Sequence, residues 1–519
     1  MAEHIWLIAL GCSLLGGLLA GIPVMLVLSG IPVLLAAMGA LAGDFDFALL
    51  QAYPQRVFGV MNNTLLIAVP LFILMGVLLE KSRVAERMLL HVGQLLGGSP
   101  RALVVAVLLI ATLVAASTGV IGATIVMLAL ISLPAMRQVG VPTGTAAGLV
   151  CAAGTLGQII PPSIVLILLG DQVSNAYLDA QQRAGNFAPD AVTVGHLFAG
   201  ALLPGLALVA LYGIYVLFSL RKTEAPADHS IQPKGSIKDV IRESLPPILL
   251  IIAVLGSILT GVATPTEAAA IGVAGTLLIT AARIDGAGPL LRRAMSITAA
   301  AGFSLVVMRS TGLARVNLNA AELNLTNGAL VAIGLSLVLV LGLILASVML
   351  WRANILQEAF AQTVRVSAMI SAIVLAASML ALVFRGFEGD ELVHQMLTSL
   401  PGDHRTQLLV TLGVIFLMGF ILEFVEIVFI VVPIVGPILL QDIDPVWFSV
   451  LVAMNLQTSF LTPPFGFALF YFRSVAPNDI TTMRLYRAIV PFVLIQLLAL
   501  TLVFVIPELA TWLPNMLFG

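Results

Sequence analysis

GTLGQIIPPS (Gly154–Ser163) and NLQTSFLTPPFG (Asn455–Gly466) are two apolar stretches that each run into a pair of prolines. Each closes a longer pattern of punctuation. Pro134, Pro142 and Pro161-Pro162 are matched by Pro437, Pro445 and Pro463-Pro464, with seven then eighteen residues between the prolines of the first set and seven then seventeen in the second. A proline removes a backbone donor and clashes with the preceding turn, so an apolar helix cannot run through the pair undisturbed. Two matched breaks in apolar sequence predict a transporter built from repeats, because interrupted helices leave free carbonyls and half-helix ends deep in the bilayer, where cargo and ions bind.

Composition supports the membrane. Of 519 residues 60% are hydrophobic and only 10% charged, whereas about a quarter of a soluble domain is charged. Cys12 and Cys151 lie in separate apolar segments and offer neither a disulfide framework nor metal-ligand spacing. The six histidines do not cluster, and the net charge of -2 provides no basic patch for nucleic acid. The start MAEHIW lacks the cationic region of a cleaved signal peptide, so the first apolar segment is expected to stay as a span. No nucleophile elbow, phosphate loop or dinucleotide fingerprint stands in a suitable context. The loops are too short for a nucleotide-binding domain, which leaves an ion gradient or a partner as the energy source.

A helix needs about 20 apolar residues to cross a hydrocarbon core. Counted on that scale, residues 5–43 hold two spans turning at Gly21–Pro23, and further spans fall near 61–80, 143–170, 196–220, 246–263, 266–282, 296–313, 328–350, 366–385, 446–472 and 489–507. That makes about twelve crossings. Two apolar stretches, 102–136 and 406–440, remain, interrupted by AASTGVIG (Ala115–Gly122) and MGFILEF (Met418–Phe424). Their arms, about fourteen residues each, fit re-entrant hairpins rather than full spans. Around the base of the first stand Lys81, Arg83, Arg87, Arg101 and Arg137 with Glu80 and Glu86, a net of +3; around the second, Arg385 and Arg405 with six carboxylates, a net of -4. Lys and Arg mark the cytoplasmic side, so the two hairpins are expected to enter from opposite faces. The loop 221–242, with five basic residues, falls on the cytoplasmic side, and both termini fall outside. Ser82–Leu96 is expected as an interfacial or connector helix.

Oxygen donors suited to an alkali cation gather at the breaks: Thr155, Ser163, Thr458, Ser459 and Thr462, with Ser117, Thr118 and Gly119 at the first hairpin tip expected to face the first break. Glu423 and Glu426 belong to the second tip. A carboxylate at that depth is costly unless paired or solvated, which leaves Glu423 as a cation ligand, proton site or ion-pair partner, or as a simple helix cap. Glu267 in TPTEAAAIG is expected as an N-terminal acid of a helix.

These segments, STGVIGATIVMLALISLPAM (Ser117–Met136), GQIIPPS (Gly157–Ser163), GVATPTEAAAIG (Gly261–Gly272), GFILEFVEIVFIVVPIVGPI (Gly419–Ile438) and DPVWFSVLVAMNLQTSFLTPPFG (Asp444–Gly466), together resemble the large membrane subunit, DctM type, of the tripartite ATP-independent periplasmic (TRAP) transporters. The resemblance covers most of the chain. It implies an inner-membrane, sodium-driven elevator for an organic acid, with a small DctQ-type membrane subunit and a periplasmic DctP-type binding protein as partners. It places sodium at Ser117, Thr118 and Gly119 with Gly154, Thr155 and Gly157, and at Gly419 and Glu423 with Thr458, Ser459 and Thr462. Substrate would lie between the tips, against Ser117, Gln158, Pro161, Ser163, Asn455, Pro463 and Pro464. Ser459 departs from the glycine expected before the second TPP, and 296–350 adds two spans.

The expectation is an all-α polytopic protein of about twelve transmembrane helices and two re-entrant hairpins in inverted repeats. It is divided into 1–101 (N-terminal scaffold), 102–170 (first transport half), 171–405 (central spans), 406–472 (second transport half) and 473–519 (last span). Two alternatives stay open: a stand-alone ion-coupled carboxylate transporter or sodium/proton antiporter, and a membrane-embedded enzyme using Glu423 and Glu426.

Overall fold

The computed structural model describes residues 5–95, 99–119, 121–221, 236–284, 288–310 and 327–519, and every regular element among them is helical. The N-terminal part holds α1 (Ile5–Leu19), α2 (Val24–Ala42), α3 (Tyr53–Met61), α4 (Thr64–Lys81) and α5 (Val84–Leu95). Then come the first hairpin, α6 (Pro100–Thr118) and α7 (Ile121–Gln138), the broken helix α8 (Thr143–Thr155) with α9 (Ile164–Arg183), and α10 (Val194–Ser219). The middle consists of α11 (Ile237–Leu259), α12 (Pro265–Ala281), α13 (Pro289–Ser310) and α14 (Asn327–Arg352). Next are α15 (Ile355–Gly386), α16 (Gly389–Thr398), the second hairpin α17 (His404–Met418) and α18 (Phe424–Leu439), the broken helix α19 (Pro445–Leu461) with α20 (Phe467–Val475), and α21 (Thr482–Val505) with α22 (Glu508–Phe518).

Helix ends follow local chemistry. The Ser99 side chain accepts from Ala102 N–H at the start of α6, and Asp444 accepts from Val446 and Trp447 at the start of α19. Glu267 closes a capping box with Thr264, as its place in the sequence predicts. Each of the twelve expected spans is occupied by helix, two of them broken. Among the described residues ten helices are long and apolar enough to cross a membrane, and both arms of the first hairpin are among them. The estimate of fourteen-residue arms is therefore corrected: α6 has 19 residues and α7 has 18, while α17 and α18 have 15 and 16. Hydropathy suggests a wide interruption over Ala115–Gly122, but α6 runs on to Thr118, the chain turns at Gly119 (φ 60°), and helix is present again from Ile121. Three shorter helices, α3, α16 and α22, lie where connections were expected. The last of these runs back along α10, where Phe518 meets the His196 ring at 4.3 Å.

Packing reveals two copies of one unit. In each copy the hairpin arms pair, and the first arm also packs on the first half of its broken helix: α6 on α8, α17 on α19. The second arms also reach across, α7 packing on α20 as well as on its own α8 and α18 on α9, and so do the helices that follow, α10 on α19 and α21 on α8. Such crossed contacts fit a two-fold relation between the copies. Its sense is fixed by α10, whose 26 residues span about 39 Å at 1.5 Å each. The base of the first hairpin is tied to the end of α10, where Arg101 donates to the Leu220 and Arg221 carbonyls. The base of the second is tied to the opposite end: Gly200 in the second turn of α10 lies against Val446, just past that hairpin, and Gln181 in the last turn of α9 donates to the Leu440 carbonyl at 3.2 Å. The two hairpins therefore open toward opposite faces.

Other ties sort in the same way. Lys81–Glu358, Arg137–Asp479 and Arg283–Glu243 join ends on the Arg/Lys-rich face, and His404–Asp442 joins ends on the other. Within the segment 82–96, Val84–Leu95 form α5, whose Val84, Ala85, Met88 and Leu89 are buried against α6 and α11. In a variant lacking both native cysteines, Gln138→Cys and His404→Cys should be labelled from opposite sides: an impermeant maleimide on intact cells reaches only His404→Cys. Labelling of both positions from outside would contradict the arrangement.

Candidate functional site

The first break is closed on all sides by protein. After α8 the chain makes one tight turn at Leu156–Gln158, runs extended at Ser163 (φ -117°, ψ 132°) and restarts as α9. Every residue from Ala146 to Gly170 is buried. The hairpin tip reaches this break backbone to backbone. A Cβ on Gly157 would lie 2.5 Å from the Ala115 carbonyl oxygen, so only glycine allows that approach.

The second break repeats the contact with other atoms. A Cβ on Gly419 would lie 2.1 Å from Ser459 Oγ, so the second tip rests on the last turn of α19. Here the loop is open: Pro464 and Phe465 are exposed, the latter by 55%. Phe465 meets Phe420 of the tip with ring centroids 6.3 Å apart, and the Tyr486 hydroxyl donates to the Pro464 carbonyl at 3.1 Å. Both Pro–Pro bonds, 161–162 and 463–464, are cis.

Most of the expected oxygen donors converge on these breaks. Thr155 donates to Ala152 O, Ser163 to Gln158 O, Thr458 to Met454 O, Ser459 to Leu456 O and Thr462 to Thr458 O, all at 2.7 to 2.8 Å. A hydroxyl that spends its proton on its own helix satisfies its donor and keeps lone pairs for a cation. Gly154 and Gly157 lie against the first hairpin, and Gly419 against α19.

Two expectations need correction. Ser117 does not face the first break: its hydroxyl returns to the Val114 carbonyl at 2.8 Å, and the side chain lines a small cavity with Glu80, Met127 and Pro247. Ala115 and Gly119 meet the break instead, because two residues along a helix turn a side chain to the opposite face. Asn455 does not point its amide at a substrate, since its Nδ2 donates to the Leu412 carbonyl at 2.7 Å and pins α19 to α17. The Thr118 side chain lies outside what the structure describes.

Glu423 occupies the N-cap position of α18 but its side chain makes no capping hydrogen bond. Glu426, one turn on, is buried at 3% exposure, with its Oε2 unpartnered. A buried polar atom without a partner is uncommon and marks a place where something else binds or water enters. Of the three glutamines in that condition, two stand at the breaks. Gln158 is fully buried with both amide atoms unpartnered, and Gln457 leaves its Oε1 unpartnered while its Nε2 reaches Thr155 Oγ1 at 3.4 Å. This contact joins the two broken helices. Gln457 was missed in the sequence, although it stands as far before Pro463 as Thr155 does before Pro161.

A family model for the DctM component of the tripartite ATP-independent periplasmic transporters matches residues 11–350 and 323–509. The chain belongs to the DctM family.

Relatives cover more than nine-tenths of it. The C4-dicarboxylate TRAP transporter large permease DctM of Vibrio cholerae is 26% identical over 91% of this chain and 90% of its own. The sialic acid TRAP transporter large permease SiaM of the same organism is 25% identical over 97% of both chains. Among solved structures, the Alcanivorax borkumensis YdaH transporter superposes with a TM-score of 0.52 at 15% identity, covering 88% of this chain and 87% of that one, which shows a shared fold. These relatives are named as transporters or permeases, so the permease reading replaces the enzyme alternative. The permease is a multi-pass membrane protein, and its two broken helices with their hairpins form its candidate transport site. Gly157→Val should part the first tip from its break, destabilise the permease by about 1–3 kcal/mol and abolish uptake. Gly16→Ala, where a Cβ meets nothing within 4 Å, should leave both unchanged in thermal unfolding and uptake assays.

Proposed function

We propose that this permease is the translocating subunit of a sodium-coupled importer of an organic acid in the bacterial inner membrane. The observation that carries the proposal is the seating of each hairpin tip on a helix break, Ala115 against Gly157 and Gly419 against Ser459. Such a tip can open or close access to the unwound backbone beneath it.

The donors fit sodium. Backbone carbonyls of the first tip, including those of Ser117, Thr118 and Gly119, combine with Gly154, Thr155 and Gly157; Gly419 and Glu423 combine with Thr458, Ser459 and Thr462. All are hard oxygens. The substrate is held between the two breaks by the Gln158 amide, whose atoms are otherwise unpartnered, together with Ser163 and the backbone around Pro161, Pro463 and Pro464. Half-helix N-termini of α9 and α20 favour an anion there. Relatives named for C4-dicarboxylates and for sialic acid, both carboxylates, support an organic acid as cargo.

In this scheme the two repeats move as one body in an elevator step. A small DctQ-type subunit completes the membrane part, and a periplasmic DctP-type protein delivers cargo from the acidic face. The test is uptake by proteoliposomes with an imposed sodium gradient. Transport should require both the gradient and the binding protein; uptake without the binding protein would instead identify a stand-alone carrier. Thr155→Ala and Thr462→Ala should each raise the sodium concentration for half-maximal uptake by about tenfold, the effect of losing roughly one ligand worth 1.4 kcal/mol. Unchanged sodium dependence in both removes these hydroxyls from the site. Glu423→Gln should slow sodium-driven uptake while leaving the unfolding temperature unchanged, and full activity would exclude the carboxylate from coupling.

A further inference from the structure

Arginines crowd one end of the α11–α13 pair. Arg242 in the second turn of α11 and Arg292 and Arg293 near the start of α13 line an open cleft of about 560 Å³, with Pro289, Ser296 and Ile297. None of the three has an ion-pair partner among the described residues. Glu243, the acid beside Arg242, is already engaged by Arg283 at 3.0 Å. The first turn of α13 contains no acid. A helix N-terminus has a partial positive charge, and cations placed there are disfavoured. Arg292 and Arg293 therefore stand where the dipole of α13 opposes them, and an anion in the cleft would offset both effects.

The apolar surroundings decide which anion. Leu290, Ile297 and Phe303 on α13 and Ile241, Leu245 and Leu249 on α11 are all exposed. They run from the cleft along the spans. A free phosphate would use only the basic end, whereas a phospholipid uses the charge and the greasy track together. We propose that this cleft holds the headgroup of an anionic phospholipid of the cytoplasmic leaflet, with its acyl chains lying along α11 and α13. Basic pockets between spans on that side suit such headgroups. The site gives the inserted spans α13 and α14 a role in seating the permease against its lipid.

The test uses the full-length permease, delipidated in detergent, and native mass spectrometry with added phosphatidylglycerol, phosphatidylcholine or inorganic phosphate. Phosphatidylglycerol should be retained at one per chain in preference to phosphatidylcholine, and millimolar phosphate should not displace it. The variant R242Q/R292Q/R293Q should lose that retention by about a hundredfold, since each basic residue contributes roughly fivefold to anionic-lipid affinity. The charge-matched R183Q/R352Q/R405Q, altered at exposed arginines elsewhere, should keep it. Equal loss in both variants, equal retention of the two lipids, or displacement by phosphate alone would overturn the assignment. Should the triple variant fold poorly, R242Q alone must still lower phosphatidylglycerol retention relative to R405Q, and equality of the two overturns it.

Discussion

The close approach of backbone to backbone at Gly157 and Ala115 is the contact on which the rest of the architecture turns. An unwound chain inside apolar surroundings is tolerable only if protein covers it, because each unpaired N–H or C=O there costs several kcal/mol. The hairpins supply the cover. Their arms need not cross the bilayer alone; they need to bring a tip to the depth of the break. The reach of the second arms across the copies, α7 onto α20 and α18 onto α9, then ties each cover to the opposite repeat.

This arrangement makes the two breaks alike in plan and unlike in detail. The first is wrapped completely, while the second leaves Pro464 and Phe465 open. Sequence reflects that difference. Small residues around GTLGQ allow a tight approach, whereas Ser459 in the second copy puts a hydroxymethyl group where the first has Gly157. The second tip compensates with a glycine of its own, Gly419, so that the small residue has moved from the helix to the hairpin. One contact is thus conserved in function though its parts are exchanged.

Buried polar atoms set the candidate site apart from its surroundings. Gln158, Gln457 and Glu426 retain unpartnered atoms in a region otherwise filled with alanine, valine and leucine. Asp171 shows the contrasting case of a satisfied buried acid: Asn63 and Gln172 donate to its two oxygens at 2.7 and 2.8 Å, tying α9 to the start of α4. One acid serves the scaffold.

The sequence by itself determined the membrane class, the positions of the spans, the two breaks and the opposite sense of the copies, because hydropathy, proline and loop charge act locally and add along the chain. It could not set the length of the first hairpin's arms, since Ser117 and Thr118 are as compatible with helix as with a loop until Gly119 turns the chain. Nor could it say which side of α6 meets the break. That depends on rotation about the helix axis, which packing against Gly157 decides, and it sends Ser117 elsewhere. The pairing of Thr155 with Gln457 and the use of Asn455 to hold Leu412 were equally out of reach, because the first pair meets only when the two repeats close on one another and the second only when a hairpin arm packs on the broken helix of its own repeat.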